Sequence, residues 1–233
     1  MTSTVQKKDT LLSLVPEKGS WEIPRKLFHY SIGFIVLYLF IDQREARDVY
    51  PFLSAFLAFV VSLEILRFNL DWFNRLYCSA VGIFMRPTEV QSRFNGVVYY
   101  LLGCIIVLYW FPLDIAALSI IYLSWTDPTA SICGRLYGKY TWQYNGKSLA
   151  GTLGAVITGT LVTYAFYGPL VSYHQQLLSY HVGSWPLLSV SLYGGLVAGF
   201  SEGISNLFGL DDNLTIPVLS AILLLIPTQI KLN

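Results

Sequence analysis

Charged residues are scarce in this sequence. Lys, Arg, Asp and Glu make up 12% of the 233 residues, which is about half of the roughly 25% that is typical of soluble domains. Several apolar windows reach about 20 residues, the length that a helix needs to cross a bilayer. The composition therefore excludes an ordinary soluble domain and predicts an all-α fold, a polytopic helical bundle in a membrane. The formal net charge of +1 gives no indication of a nucleic-acid partner.

Cysteine is also rare, and no targeting segment is recognisable. Cys78, Cys104 and Cys133 are odd in number and scattered, so neither a disulfide framework nor a zinc site is expected. Residues 1–20 are polar and lack an apolar core followed by a cleavage site, unlike a secretory signal peptide. We expect them to form a flexible cytosolic tail. Residues 21–233 are expected to form one transmembrane domain.

The apolar segments predict about seven transmembrane helices. Their approximate ranges are 27–41, 50–66, 94–113, 114–134, 149–168, 186–205 and 214–230. The segment 70–86 is apolar at helical spacing and carries Arg75 and Arg86 near its ends. This pattern is typical of a helix that lies in the membrane interface, and a re-entrant helix is the alternative.

The distribution of positive charge indicates the orientation. With the N-terminus in the cytosol, 12 of the 15 Lys and Arg residues fall on the cytosolic side. They are Lys7, Lys8, Lys18, Arg25, Lys26, Arg67, Arg75, Arg86, Arg93, Arg135, Lys139 and Lys147. Because cytosolic loops of membrane proteins carry an excess of Lys and Arg, this asymmetry favours a cytosolic N-terminus.

Acidic residues interrupt the apolar segments. An ionisable group at the centre of a bilayer costs about 2.5–3.5 kcal/mol on insertion scales, so such residues usually have a function. Glu64, Asp127 and Glu202 lie within apolar runs, and Asp211 and Asp212 lie in a short loop. The orientation places all of these except Glu64 in or near the cytosolic half, together with basic residues. One end of the bundle is therefore predicted to be both acidic and basic.

The stretch 124-SWTDPTASICGRLYGKY-140 carries several of these groups. Pro128 removes a helix donor and disfavours the α conformation at the preceding residue. We therefore expect a broken helix that restarts at Pro128 with Asp127 as its cap. Gly134 and Gly138 would let a ligand approach the backbone, and oxygen ligands beside basic groups suit a hard metal ion and a polyphosphate. A proline kink with a satisfied Asp127 is the alternative.

Two further stretches could bind phosphate or metal. In 145-NGKSLAGTLG-154 a basic, glycine-rich segment opens a helix, and helix N-termini bind phosphate. It is not a Walker A loop, because Thr141 stands where that motif needs glycine. In 201-SEGISNLFGLDDNLTIPVLSA-221, Glu202 could converge with the two aspartates on Mg²⁺ or act as a base. The alternative is a turn in which Asp212 or Asn213 caps the last helix.

Taken in order, these stretches resemble a known family. EIPRKLFH, RFNGVVYYLLG, SWTDPTASICGRLYGK, NGKSLAGTLG and the late acidic stretch are similar to the CTP-dependent lipid kinases, most closely the fungal CTP-dependent diacylglycerol kinases. The resemblance runs from about Trp21 to Thr228. It implies transfer of phosphate from CTP to diacylglycerol, giving phosphatidate and CDP, with Mg²⁺ or Ca²⁺. It also implies an endoplasmic reticulum and nuclear envelope location, with the active site facing the cytosol.

The resemblance also implies the site residues. The catalytic residues would be Asp127, Lys147 and Glu202. We expect Glu202 to be the base that takes the lipid hydroxyl proton. The metal ligands would be Asp127, Asp211 and Asp212. The nucleotide would be bound by Arg25, Lys26, Gly134, Arg135, Gly138, Lys139, Ser148 and Gly151.

Other functions remain open at this point. The acceptor could be dolichol or another polyprenol, because no residue in the sequence indicates which lipid is bound. A cytidylyltransferase acting on phosphatidate would release pyrophosphate instead of CDP. A seven-helix transporter should place its ionisable groups near the middle of the bilayer, with access from both sides, whereas here they gather at one end.

Overall fold

The computed structural model describes residues 11–17, 19–91, 93–170, 178–179, 186–205, 209 and 211–229. Most of the predicted N-terminal tail, residues 1–10 and Lys18, lies outside this part of the chain. Within it, Val15 is buried and packs against Cys78, Met85 and Val90.

Helices make up most of the described chain. They are α1 Ile23–Ile41, α2 Ala46–Asn69, α3 Asp71–Val81, α4 Pro87–Gln91, α5 Gly96–Trp110, α6 Leu113–Ile121, α7 Asp127–Tyr137, α8 Leu149–Ala165, α9 Leu187–Ile204 and α10 Asp212–Gln229. Short 3-10 turns cover Gly82–Phe84 and Gly138–Tyr140, and π turns cover Tyr122–Thr126 and Phe166–Leu170. Strands β1 Gln143–Tyr144 and β2 Lys147–Ser148 form an antiparallel hairpin that pairs Gln143 with Ser148.

Three of the described helices are long and apolar enough to cross a membrane. They are α2, the segment Leu149–Leu170 that begins with α8, and α9, while Gly96–Trp110 and Asp212–Pro227 are apolar but shorter. The fold is thus a membrane helical bundle, as the composition indicates. The number of seven spans stays a prediction.

Helix α6 and the π turn that follows it form the centre of the bundle. Ile115, Leu118, Tyr122 and Leu123 are fully buried there. Helices α1, α5 and α10 pack around α6, and α8, α9 and α10 pack against the π turn. Every residue of α6 from Asp114 to Ile121 is buried, so this helix meets protein on all sides, as a helix in the interior of a bundle does.

The chain does not break at Pro128. Asp127 has φ −61° and ψ −52°, which is right-handed α-helix, and its side chain caps no helix. The expectation of a half-helix restarting at Pro128 is therefore wrong. The π turn lies immediately before the proline, and the hydroxyls of Thr126 and Thr129 donate to the carbonyls of Tyr122 and Trp125. These hydroxyl donors and the wider turn let the helix absorb a proline without ending.

Helices α8 and α9 approach each other through glycine, as their glycine-rich sequences predict. A Cβ atom added at Gly195 would lie 2.6 Å from the carbonyl oxygen of Val156 and would also clash with the Thr160 hydroxyl. Small residues allow this kind of close backbone contact between membrane helices.

We therefore expect Gly195→Ala to destabilise the protein by about 1–3 kcal/mol, because the added methyl group overpacks a backbone contact. Gly203→Ala, on the same helix, is the matched control, since its Cβ would meet no atom closer than 3.3 Å. Thermal unfolding of the purified variants in detergent would measure the difference. Equal melting temperatures would contradict the close packing.

Candidate active site

A polar cavity of about 620 Å³ lies at one end of the bundle. Its walls come from α1, α7, the hairpin, the first turn of α8, and the facing ends of α9 and α10. Most of the predicted site residues line it: Arg25, Lys26, Asp127, Gly134, Arg135, Lys147, Ser148, Gly151, Glu202 and Asp212. Residues more than 180 positions apart in sequence thus meet in one cavity, as their shared membrane side predicts.

Lys147 is held between two acidic residues. Its Nζ lies 2.9 Å from Glu202 Oε1 and 3.3 Å from Asp212 Oδ2. Burial alone would lower the pKa of the ammonium group, but the carboxylates of Asp212 and Glu202 together raise the pKa above its ordinary value. Lys147 is therefore a permanent cation at neutral pH.

The two acidic partners of Lys147 are also bound by hydroxyl groups. Glu202 Oε2 accepts a hydrogen bond of 3.2 Å from Thr152, and Asp212 Oδ1 accepts one of 2.9 Å from Ser205. All four carboxylate oxygens thus have protein partners. Glu202, which we expect to be the base, is engaged at both oxygens.

Asp127 is different from the other acids of the cavity. Four carboxylates line it, those of Glu22, Asp127, Glu202 and Asp212. Glu22 lies 3.8 Å from Arg86 and 4.0 Å from Arg135. Within the described residues, Asp127 alone of the four has no hydrogen bond or ion pair. Its half-buried carboxylate is therefore available to a ligand.

One acid, Glu89, contacts two arginines of the cavity. Glu89 Oε1 accepts a hydrogen bond of 3.1 Å from Arg25, and Glu89 Oε2 accepts one of 3.0 Å from the backbone N–H of Arg86. Arg25 and Arg86 both line the cavity. Glu89 therefore fixes an arginine side chain of α1 and the backbone that carries a second arginine.

A fully buried ion pair between Arg67 and Glu64 fixes the backbone next to Glu89. Arg67 donates to both oxygens of Glu64, at 2.8 and 2.6 Å, and to the carbonyls of Glu89 and Arg93. Glu64 also accepts a hydrogen bond of 2.9 Å from the backbone N–H of Asn95. Glu64, an acid in an apolar run, thus fixes the connection between α4 and α5 and does not line the cavity.

The hairpin brings a helix N-terminus to the cavity. Ser148 caps α8, because its Oγ accepts a hydrogen bond of 3.1 Å from the Gly151 N–H. A Cβ atom at Gly134 would lie 3.1 Å from the same oxygen. Small residues thus let α7 lie against the capped start of α8, where backbone N–H groups and the helix dipole favour an anion.

Three predicted residues lie outside the cavity lining. Gly138 packs against the Ser148 side chain, and Lys139 is exposed with its Nζ 4.7 Å from the Tyr140 ring centre. Asp211 Oδ1 accepts hydrogen bonds from the backbone and side chain of Asn213, at 3.0 and 2.7 Å. The cap predicted for Asp212 or Asn213 thus belongs to Asp211.

Several residues of this cavity are not indicated by the sequence. The sequence places Arg86 only at the end of an interfacial helix and suggests no role for Glu22, His29 or Gln143, yet all four line the cavity. Arg86 reaches the site through its backbone contact with Glu89. A tertiary contact of this kind leaves no spacing signal. The i, i+4 spacing of Arg25 and His29 was the only available indication for the histidine.

Three curated relatives are similar over most of the chain. The CTP-dependent diacylglycerol kinase 1 of Eremothecium gossypii is 43% identical over 211 residues, which are 86% of this chain and 65% of that protein. The protein of the same name from Saccharomyces cerevisiae is 41% identical, covering 86% and 71%. That of Schizosaccharomyces pombe is 40% identical, covering 87% and 92%. The chain belongs to the family of CTP-dependent diacylglycerol kinases.

The resemblance seen in the sequence motifs is therefore confirmed. The dolichol kinase of Saccharomyces cerevisiae is more distant, at 26% identity over 88% of this chain and 37% of that protein. No family model and no solved structure matches the chain.

The ion pairs of the cavity predict different effects for its acids on stability. Glu202→Gln should lower the free energy of unfolding by about 1–3 kcal/mol, because it removes a charged partner from the buried Lys147. Asp127→Asn should change it by no more than about 0.5 kcal/mol, since that carboxylate has no described partner. Thermal unfolding in detergent would compare them. A larger loss in Asp127→Asn would contradict the geometry.

Proposed function

We propose that the polar cavity binds CTP and that the protein transfers the γ-phosphate to the hydroxyl of diacylglycerol, producing phosphatidate and CDP. Membership of the family supports both the kinase activity and the use of CTP as phosphate donor. The observation that supports this site is the meeting of five cationic side chains with one carboxylate, Asp127, that has no partner among the described residues. The cations are Arg25, Lys26, Arg86, Arg135 and Lys147.

The cations and the helix start would hold the triphosphate. Arg25, Arg86 and Lys147 all line the cavity. Arginine forks suit phosphate oxygens, and the N-terminus of α8 adds backbone donors. The volume of about 620 Å³ lies in the usual range of ligand sites, about 300–1,000 Å³. These groups would orient the γ-phosphate.

The acids fit a divalent metal that is held mainly through phosphate. The described residues contain no cluster of three or more His, Cys, Asp or Glu arranged to hold a metal. Mg²⁺ in phosphate-transfer sites commonly takes only one or two carboxylates together with substrate phosphates. Asp127 would supply the main one. Asp212 lines the same cavity but is paired with Lys147 and Ser205, and Asp211 caps α10 outside the lining. The metal would neutralise charge on the phosphates.

Phosphoryl transfer depends on positioning and charge neutralisation more than on covalent chemistry of the protein. A bond forms between the lipid hydroxyl oxygen and the γ-phosphorus, the bond to the β-phosphate oxygen breaks, and the hydroxyl proton is released to water in the cavity. Glu202 would act by positioning Lys147, because both of its oxygens are engaged. We propose this positioning role in place of the predicted role of Glu202 as a base.

The seven spans, the cytosolic N-terminus and the endoplasmic reticulum and nuclear envelope location belong to the same proposal. CTP is soluble in the cytosol, and the cavity carries cations that positive-inside orientation places there. The ionisable groups gather at one end of the bundle, which favours an enzyme over a transporter. The lower identity to dolichol kinase favours diacylglycerol over a polyprenol.

The proposed reaction can be tested on purified protein in mixed micelles with diacylglycerol, Mg²⁺ and γ-labelled CTP or ATP in parallel. We expect label in phosphatidate from CTP only. Transfer to dolichol alone would change the lipid acceptor. Release of pyrophosphate with phosphatidate as substrate would replace the kinase reaction by cytidylyl transfer.

Asp127→Asn should abolish this turnover, at least about 10³-fold, while the protein keeps its melting temperature. The amide preserves shape but removes the charge that would face the metal and phosphates. Asp48→Asn, at an exposed position outside the cavity lining, is the matched control and should retain activity. A folded Asp127→Asn with normal turnover would refute this assignment.

The proposed orientation predicts which loops a membrane-impermeant maleimide reaches in sealed microsomes. In a background without the three native cysteines, Tyr144→Cys in the hairpin should be labelled from the cytosolic side. Asp48→Cys, at the start of α2, should react only after the membrane is permeabilised. Both native side chains are exposed, so burial does not explain a difference. The reverse pattern would invert the topology.

A further inference from the structure

A second, largely apolar cavity of about 530 Å³ lies between α1, α2 and α5. The side chains that α1 contributes follow one face of the helix: Phe28, His29, Ile32, Ile35, Val36, Leu39 and Phe40. From the first to the last of them the helix rises about 18 Å. Half of a bilayer's hydrocarbon core is about 15 Å thick. The groove therefore has the length of the acyl layer of one leaflet.

The groove opens sideways, toward the surrounding membrane. Helix α1 packs against α6 and the π turn, and α2 packs against α5, but α1 and α2 share no extensive contact among the described residues. Ile35, Phe56 and Phe59 line the groove and are about half exposed. A chain from the bilayer can enter here without displacing a packed helix.

The apolar groove meets the phosphate cavity at two residues. Arg25 and His29 line both, and no other described residue does. His29 is 7% exposed, and its ring lies edge-on to Tyr100 at 5.3 Å. Its Nδ1 is buried and has no hydrogen-bond partner in the described part of the chain. A buried polar atom without a partner costs about 1–3 kcal/mol, which points to a partner supplied by a ligand.

We infer that the groove binds an acyl chain of diacylglycerol and that His29 Nδ1 accepts a hydrogen bond from the lipid's free hydroxyl. The inference rests on the proposed function, since it specifies where the acceptor lipid of that reaction lies. The acyl chain would run along α1 between α2 and α5. The hydroxyl would then arrive where the groove joins the cavity that holds the triphosphate. His29 acts here as a positioning residue.

Photo-crosslinking tests the occupant on the wild-type protein and needs no turnover. A diacylglycerol with a diazirine midway along one acyl chain is irradiated with the full chain in mixed micelles. We expect label on the 32–40 or 53–60 segments, and excess unlabelled diacylglycerol should suppress it. Label on the outer faces of α8 and α9 would overturn the inference. So would equal suppression by phosphatidylcholine, which would indicate a general membrane lipid.

A groove-filling variant gives a kinetic test. Val36→Trp should raise the KM for diacylglycerol about tenfold or more and leave the KM for CTP within about twofold, because it removes binding of one substrate only. Leu161→Trp, at an exposed position of α8 outside the groove, is the matched control and should match the wild type. Unchanged kinetics in a folded Val36→Trp would overturn the inference, and the crosslinking decides if that variant does not fold.

The role of His29 has its own readout. His29→Leu should lower kcat about tenfold or more while crosslinking in the groove persists, because the chain still binds but the hydroxyl loses its acceptor. His29→Asn, which keeps an acceptor near the Nδ1 position, should recover part of the activity. A His29→Leu variant with wild-type kcat would remove this role. If the melting temperature falls in His29→Leu and stays low in His29→Asn, the role of His29 is structural instead.

These outcomes separate the groove from the reaction. Specific labelling of the groove without transfer from CTP would leave the lipid site standing and reject the proposed kinase reaction. Full kinase activity together with an unlabelled groove and normal Val36→Trp kinetics would reject the lipid site and leave the reaction standing.

Discussion

The ion pair network of Lys147 is the interaction on which the cavity depends. The ammonium group, at the start of α8, contacts Glu202 of α9 and Asp212 of α10. These three side chains are largely shielded from water, where an unpaired charge would cost several kcal/mol. The ion pairs therefore hold the adjoining ends of α8, α9 and α10 together. Both carboxylate oxygens of Glu202 and both of Asp212 have hydrogen-bond or ion-pair partners in this network. Asp127, on the neighbouring α7, is thereby left as the carboxylate that a ligand can use.

A second set of charges fixes the part of the cavity that carries Arg25 and Arg86. Glu89 binds Arg25 and the backbone of Arg86, and Arg67 joins the Glu89 carbonyl to Glu64. Each buried charge in this set has an opposite partner, as buried ions require. The cavity is thus lined by cations whose positions are fixed by acidic partners. Fixed charges that need no rearrangement are an efficient way to stabilise the charge of a phosphoryl group during transfer.

The sequence predicted the composition of this cavity better than its geometry. Arg25, Lys147 and Glu202 could be brought together in advance, because helix ends on one side of a membrane must be neighbours. The π turn before Pro128 could not, since a one-residue shift in hydrogen bonding changes no hydrophobic period. Composition does not distinguish a capping aspartate from a metal ligand, so it could not indicate that Asp211 Oδ1 accepts hydrogen bonds from Asn213. Arg86 was missed because only its neighbour's contact with α1 brings it in.

The two substrates differ so strongly in polarity that no uniform cavity would suit both. Helix α1 resolves this difference along its own length. Arg25 and His29 are one turn apart and are followed on the same face by Ile32, Val36 and Phe40, so the face changes from cationic to apolar within two turns. A soluble nucleotide and a membrane lipid can then meet at one boundary. Because the boundary lies within a single helix, the nucleotide can stay on the aqueous side and the acyl chains on the membrane side while the reacting atoms come into contact.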